Sequence, residues 1–285
     1  MVRQRWELLL IPPFVVTFVL MATSQFAFLK GSFYRDLGLG RVSDTFELVN
    51  YIRVFSDSFY LKALWLTVEV SALATLFTLI MAYPVAYVIA RMRSRLAMVM
   101  LSAIVISTFI TIVIKVFGLM IIFSADGVLN RVLLASGLID EPYTIMGKVS
   151  GVVVGLMHFS LGFGVLLLYS VIQTIPRSIE ESARVHGATR WRMYWRVVLP
   201  LSLPGVTIGA LMIFNMCMGA FTSAALLGGG RVLTLPVLIQ RVVILETKYA
   251  IGGTLAAILV IAVLLINLLS VYLLRQMRAT RHMTV

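Results

Sequence analysis

Charge is what this 285-residue chain has least of: 13% of its residues are charged against 60% hydrophobic, with a mean hydropathy of +1.00. That shortage excludes an ordinary soluble globular domain, in which about a quarter of residues are charged. Cysteine is nearly absent. The single Cys217 lies in an apolar run, which excludes a disulfide framework and a thiolate metal site. His158, His186 and His282 are scattered, so each reads as a local hydrogen-bonding residue, and neither a metal nor a catalytic cluster is expected. No segment shows the alternating polarity of barrel strands, which run to about 10 residues. A Walker A loop is missing too. Gly228–Arg231 (GGGR) lacks the Gly-x4-Gly-Lys-Ser/Thr spacing and reads as a loop, so no nucleotide cofactor is expected in this chain.

What is present is apolar sequence in long runs: Leu8–Leu29, Ala63–Ala90, Leu96–Ser124, Val149–Ile175, Val197–Gly230 and Tyr249–Leu274. Each reaches the roughly 20 residues a helix needs to cross a hydrocarbon core of about 30 Å. The expected fold is therefore all-α and integral to the membrane, with six transmembrane helices in one domain, its core spanning 60–275. Basic residues orient it. Arg3, Arg5, Arg91, Arg93, Arg95, Arg177, Arg184, Arg190, Arg192, Arg196, Arg275, Arg278 and Arg281 fall on one side, with only Glu7, Glu180 and Glu181 as acids. The positive-inside rule places that side, and so both termini and the 173–203 loop, in the cytoplasm. The net charge of +12 thus tracks topology, and nucleic acid is not an expected partner. The first run is long for a signal peptide and its removal would leave five spans, so it is expected to be retained.

Three external segments are expected, near 30–62, 125–148 and 228–248, the first containing a short surface helix around Phe46–Phe55. Pro84 should kink the second span. No inverted repeat joins the two halves, which counts against carriers built that way, although a self-sufficient carrier or channel remains the alternative.

The informative stretch is the loop at about 176–200, between spans four and five. Ser178 and Glu181 have capping-box spacing, so a short helix is expected to begin there. Gly187 can take the left-handed conformation that stops it, and Thr189 can cap a second helix with Trp191, Tyr194, Trp195 and Val198 at spacings of three and four. Such a helix–Gly–helix unit is a rigid knob suited to a groove on a partner.

Glu181-Ser182-Ala183, three residues, Gly187, nine residues, Val197, one residue, then Leu199-Pro200 closely resembles the cytoplasmic loop of ABC importer permeases, Glu-Ala-Ala-x3-Gly-x9-Ile-x-Leu-Pro. Ser182 and Val197 are the departures. Within that superfamily the chain resembles the spermidine/putrescine-type permeases, on Ala82–Tyr87 (AYPVAY), Ile114–Gly118 (IKVFG), Gly137–Pro142 (GLIDEP) and Ala224–Gly229 (AALLGG). The resemblance implies a bacterial inner-membrane permease that pairs with a second permease subunit, a paralogue by preference. It implies two ABC ATPase subunits, which hold the ATP and Mg, and an external solute-binding protein. Glu180, Glu181, Ser182, Ala183, Gly187, Ala188, Leu199 and Pro200 would couple the loop to an ATPase.

Glu69 in span two and Lys115 in span three are charges inside apolar runs, which normally face a bundle interior or water. They either line the route, with Glu69 attracting a cationic amine, or pair with each other or snorkel to the interface. Asn215, Thr222 and Ser223 are further wall candidates, or are satisfied by their own helix. Relatives often carry an acid after the glycine of span five, where this chain has Ala220. A polyamine-like or other cationic amine leads as solute, with amino-acid derivatives, thiamine-like cations and anions behind.

Overall fold

The computed structural model describes residues 10–38 and 41–282, with side chains up to 272. Arg3, Arg5 and Glu7, the side chains of Arg275, Arg278 and Arg281, and with them the placement of both termini, lie outside the described residues. Among the described residues, five helices are long and apolar enough to cross a membrane: Ile11–Gly31, Ser58–Arg91, Val149–Gln173, Arg190–Met218 and Tyr249–Tyr272. The pair Arg95–Phe109 and Ile112–Ile122 makes a sixth if two helices meeting at 99° count as one span. Chain contacts divide the protein into two compact units, Met1–Leu64 with Leu235–Val285, and Trp65–Thr234.

The first unit holds α1 (Ile11–Gly31), an antiparallel hairpin of β1 (Tyr34–Gly38) and β2 (Arg41–Phe46), α2 (Val49–Ser56), and the start of α3 (Ser58–Arg91). The short surface helix is thus present, as α2, but the hairpin was not foreseen. Phe33 and Phe46 stack across it with centroids 5.1 Å apart. Asp36, on β1, reaches α13 (Tyr249–His282) and accepts hydrogen bonds from the amides of Ala250 (3.1 Å) and Ile251 (2.9 Å). Those donors have no partner within their own helix, so a carboxylate from the hairpin serves as their cap. The segment near 228–248 is also more than a loop. It contains α12 (Leu235–Gln240) running into a wider π-helical turn, Arg241–Leu245. Eleven residues are too few to cross a bilayer, and they pack instead. Leu235, Leu238 and Val242 join Val54, Ala63, Ile251, Leu255 and Ile258 in a buried cluster.

The second unit is built around α7 (Val149–Gln173), half-buried along its length. Packed on it are α4 (Arg95–Phe109), α5 (Ile112–Ile122), α10 (Leu199–Met218) and α11 (Thr222–Gly228), and the unit also holds α6 (Val128–Ala135), α8 (Arg177–Val185) and α9 (Arg190–Met193). Small residues set the approach, as membrane helices require where burial of apolar surface alone gives no preference for a partner. A Cβ on Gly164 would meet Thr78 of α3 at 3.0 Å, and one on Gly205 would collide with Val171. Polar pairs add to this: Thr78 bonds Ser160 (2.8 Å) and Tyr83 bonds Ser202 (2.6 Å), all four buried.

Two expected spans are not single straight helices. The third is broken at Ile110–Thr111, both in extended conformation, and the fifth is interrupted at Gly219–Phe221 before α11. The second break follows a glycine. The first has no local breaker, since neither Pro nor Gly occurs from Arg95 to Phe117.

Candidate functional site

The loop between α7 and α10 is built from its hydrogen bonds upward. The expected capping box does not form: α8 begins at Arg177, its N-cap position is Pro176, and no side chain caps it. Pro176 needs no amide partner and already holds an extended conformation, so it starts the helix without help. The other end follows the sequence closely. Gly187 has φ +82°, Ala188 N–H bonds Ala183 C=O (3.0 Å), and Gly187 N–H bonds Arg184 C=O (2.9 Å). This is the paired bonding of a Schellman motif, in which the six-residue separation is fixed by the left-handed residue. The spacing from Ala183 to Gly187 and Ala188 therefore has a geometric reason. Thr189 then caps α9 by accepting from Arg192 N–H at 3.3 Å.

The helix runs through Pro200 without a break. From Arg190 to Met218 the helix is continuous, because residues Tyr194–Val198 widen into a π-turn, with Leu199 N–H bonding Tyr194 C=O. A proline lacks the amide for an α-type bond and its ring presses on the carbonyl four residues back. Widening the preceding turn accommodates both, which accounts for Leu199-Pro200 at this point.

The inner face of α8 is fastened to the end of α3. Glu180 is buried, and its Oε1 accepts from Arg91 Nε at 2.6 Å. Arg91 also donates to the Ile175 carbonyl (3.1 Å), Arg177 donates to the Ala90 carbonyl (3.2 Å), and Tyr87 Oη lies 3.4 Å from Glu180 Oε2. Glu181, Ser182 and Val185 face outward, Val185 with 85% of its surface exposed. The two adjacent glutamates thus have opposite settings: Glu180 is buried and braces the loop, and Glu181 is exposed. Arg91 and Tyr87 were missed as site residues from sequence. Their signal was the spacing Tyr83, Tyr87, Arg91, which puts all three on one face of α3.

Tyr83 and Tyr87 meet Tyr194 edge-on, and Tyr194 in turn contacts Trp191 and Trp195. An apolar cleft of about 560 Å³ lies there, lined by Leu79, Ile80, Pro84 and Val88 with these aromatics, and by Arg190.

A second cavity, about 520 Å³, forms at the break between α4 and α5. Thr108, Phe109, Ile110, Thr111, Ile112 and Lys115 line it together with Phe159, Phe163 and Leu166 of α7 and Met216 of α10. Of the sequence-derived pathway residues only Lys115 borders it. Glu69 is exposed on α3, and the two form no ion pair. Asn215 is half-buried on α10 and Thr222 half-buried on α11. Ser223 is fully buried where α11 packs on Gly155 of α7, and its hydroxyl has no partner among the described residues. It faces a helix contact, not the cavity.

Known proteins resemble this chain at both levels. The spermidine/putrescine transport system permease protein PotB of Haemophilus influenzae is 29% identical over 223 residues, covering 78% of this chain and 77% of that protein. PotB of Escherichia coli is 33% identical over 190 residues, 67% of this chain and 69% of its own. The molybdenum transport system permease protein ModB of Mycobacterium tuberculosis is 29% identical over 207 residues, 71% and 76%. A bacterial ABC transporter involved in import of the acidic polysaccharide alginate superposes with TM-score 0.79 at 20% identity, covering 96% of this chain and 97% of that one. The inward-facing MetNI methionine ABC transporter gives 0.59 at 19% identity, over 76% and 94%. Those superpositions speak for the fold. Over residues 74–279 the chain matches the binding-protein-dependent transport system inner membrane component, and it belongs to that family, as a multi-pass permease subunit of an ABC importer whose work is transport and not catalysis.

Proposed function

We propose that this chain forms half of the translocation pathway as a single permease domain of six spans, with α4 and α5 together as the third and both termini in the cytoplasm. A second permease subunit, preferably a paralogue, supplies the other half. The 176–200 loop docks on one of two ABC ATPase subunits, and an external binding protein delivers the solute. The observation that carries this reading is the rigid helix–Gly–helix unit, closed by Gly187 and braced by Arg91 and Glu180. A braced knob can transmit a push from the ATPase to α3, whereas a loose one would absorb it. Glu181 and Val185, both exposed, are the partner-facing residues. Co-purification of the chain with its ATPase, lost in Glu181→Ala with Val185→Asp while membrane insertion persists, is the expected result. Retention of the ATPase by that variant would refute the docking assignment.

For the solute we propose a polyamine-like cationic amine, supported by the spermidine/putrescine names of the relatives. Lys115 on the cavity at the break favours a second reading, a solute with an acidic group, because a lone ammonium there would repel a bare amine. The solute bound by the cognate external protein decides between them. Lys115→Met should raise uptake of an amine and abolish uptake of an anion.

A further inference from the structure

Beside the braced loop is a polar pocket of about 260 Å³, lined by Arg91, Arg93, Arg177, Glu180, Glu181 and Arg184. Its charge is not balanced. Glu180 is taken up by Arg91, which leaves Glu181 against Arg93, Arg177 and Arg184. Arg93 and Arg184 are exposed, and neither forms an ion pair among the described residues. Tyr87 joins this pocket to the apolar cleft: its ring lines the cleft and its hydroxyl meets Glu180 in the pocket wall. At the cleft stand Trp191 (71% exposed), Trp195 and Arg190.

Surplus guanidinium charge at the end of a membrane helix, next to an apolar cleft edged with tryptophan, complements one kind of molecule in its parts. Guanidinium matches phosphate, an apolar cleft matches an acyl chain, and Trp sits at headgroup level. We infer that the pocket binds the phosphate of an anionic phospholipid, with an acyl chain in the cleft. The bound headgroup bridges Arg93, from the turn after α3, to Arg177 and Arg184 of α8, and so adds a further fastening of the loop to α3. That the lipid comes from the inner leaflet rests on the topology proposed above; the binding itself does not.

The test uses the permease purified with its ATPase, in nanodiscs of phosphatidylcholine with increasing phosphatidylglycerol, reading lipid retained by native mass spectrometry. The wild type should retain phosphatidylglycerol selectively. Arg93→Gln with Arg184→Gln should need on the order of thirtyfold more of it, since each basic residue near an anionic surface contributes about fivefold. Excess inorganic phosphate should not displace the lipid; if it does, the ligand is free phosphate and the lipid assignment falls. Equal retention by wild type and variant overturns the site. Loss of the ATPase from the variant alone also overturns it, because the arginines would then belong to the ATPase interface. Failure of the wild type to hold an ATPase would instead count against the proposed function.

Discussion

Replacing Glu180 by Gln removes the charge that Arg91 meets at the base of α8. Both side chains are well inside, with 14% of Arg91 and 6% of Glu180 exposed. Breaking a buried ion pair by removing one member costs about 3–5 kcal/mol, because the other charge stays buried without compensation. Here Arg91 keeps its bond to the Ile175 carbonyl, so the lower end applies, about 3 kcal/mol. That is roughly a hundredfold in the equilibrium between braced and released loop. Release separates α8 from α3, so ATP hydrolysis should continue while solute uptake falls. The assay is uptake per ATP hydrolysed in proteoliposomes, with thermal unfolding of the detergent-solubilised chain alongside. A second variant tests the cause. Arg91→Met with Glu180→Gln leaves no unpaired charge and should recover most of the lost stability. The reasoning is refuted if Glu180→Gln unfolds with the wild type and keeps its stoichiometry, or if the double variant is no more stable than the single. Glu181→Gln, one residue away and exposed, should leave unfolding unchanged.

Gly187→Val places a β-branched residue at φ +82°, at a cost of about 1–2 kcal/mol, although space is open around it. Insertion should be normal and transport uncoupled from hydrolysis; full transport would exclude a role for the turn. Asp36→Ala removes the cap on the amides of Ala250 and Ile251 and should lower stability by about 1 kcal/mol, read from the unfolding midpoint. Tyr83→Phe deletes a buried bond to Ser202, but Ser202 still donates to the Leu199 carbonyl, so the loss should be near 1 kcal/mol. For topology, Leu37→Cys should react with an impermeant external reagent and Val185→Cys should not. Both side chains are exposed and the native Cys217 is buried, so background labelling is low.

Much of the molecule was legible in its residues. Apolar run length located the membrane helices, because a hydrocarbon core admits little else, and that constraint acts on local sequence alone. The stop at Gly187 and the cap at Thr189 were equally local, each set by a residue's own backbone or side-chain chemistry. What local chemistry could not reveal was which of two equivalent options would be used. Ser178 and Glu181 have capping-box spacing, yet Pro176 already starts the helix and leaves Glu181 outward. Glu180 and Glu181 are the same residue type side by side, and only the arrival of Arg91 from a distant helix buries one and exposes the other. The same holds for the pair Glu69 and Lys115: hydropathy flagged both, but whether they meet depends on how α3 and α5 are oriented. The break at Ile110–Thr111 carries no Pro or Gly, and the hairpin's Asp36 finds its partners more than two hundred residues away. Run length and turn chemistry are properties of neighbouring residues, and the sequence by itself determined them. Which charge is buried, which span is broken and where a cavity opens depend on groups brought together across the chain, and only the tertiary structure decided those.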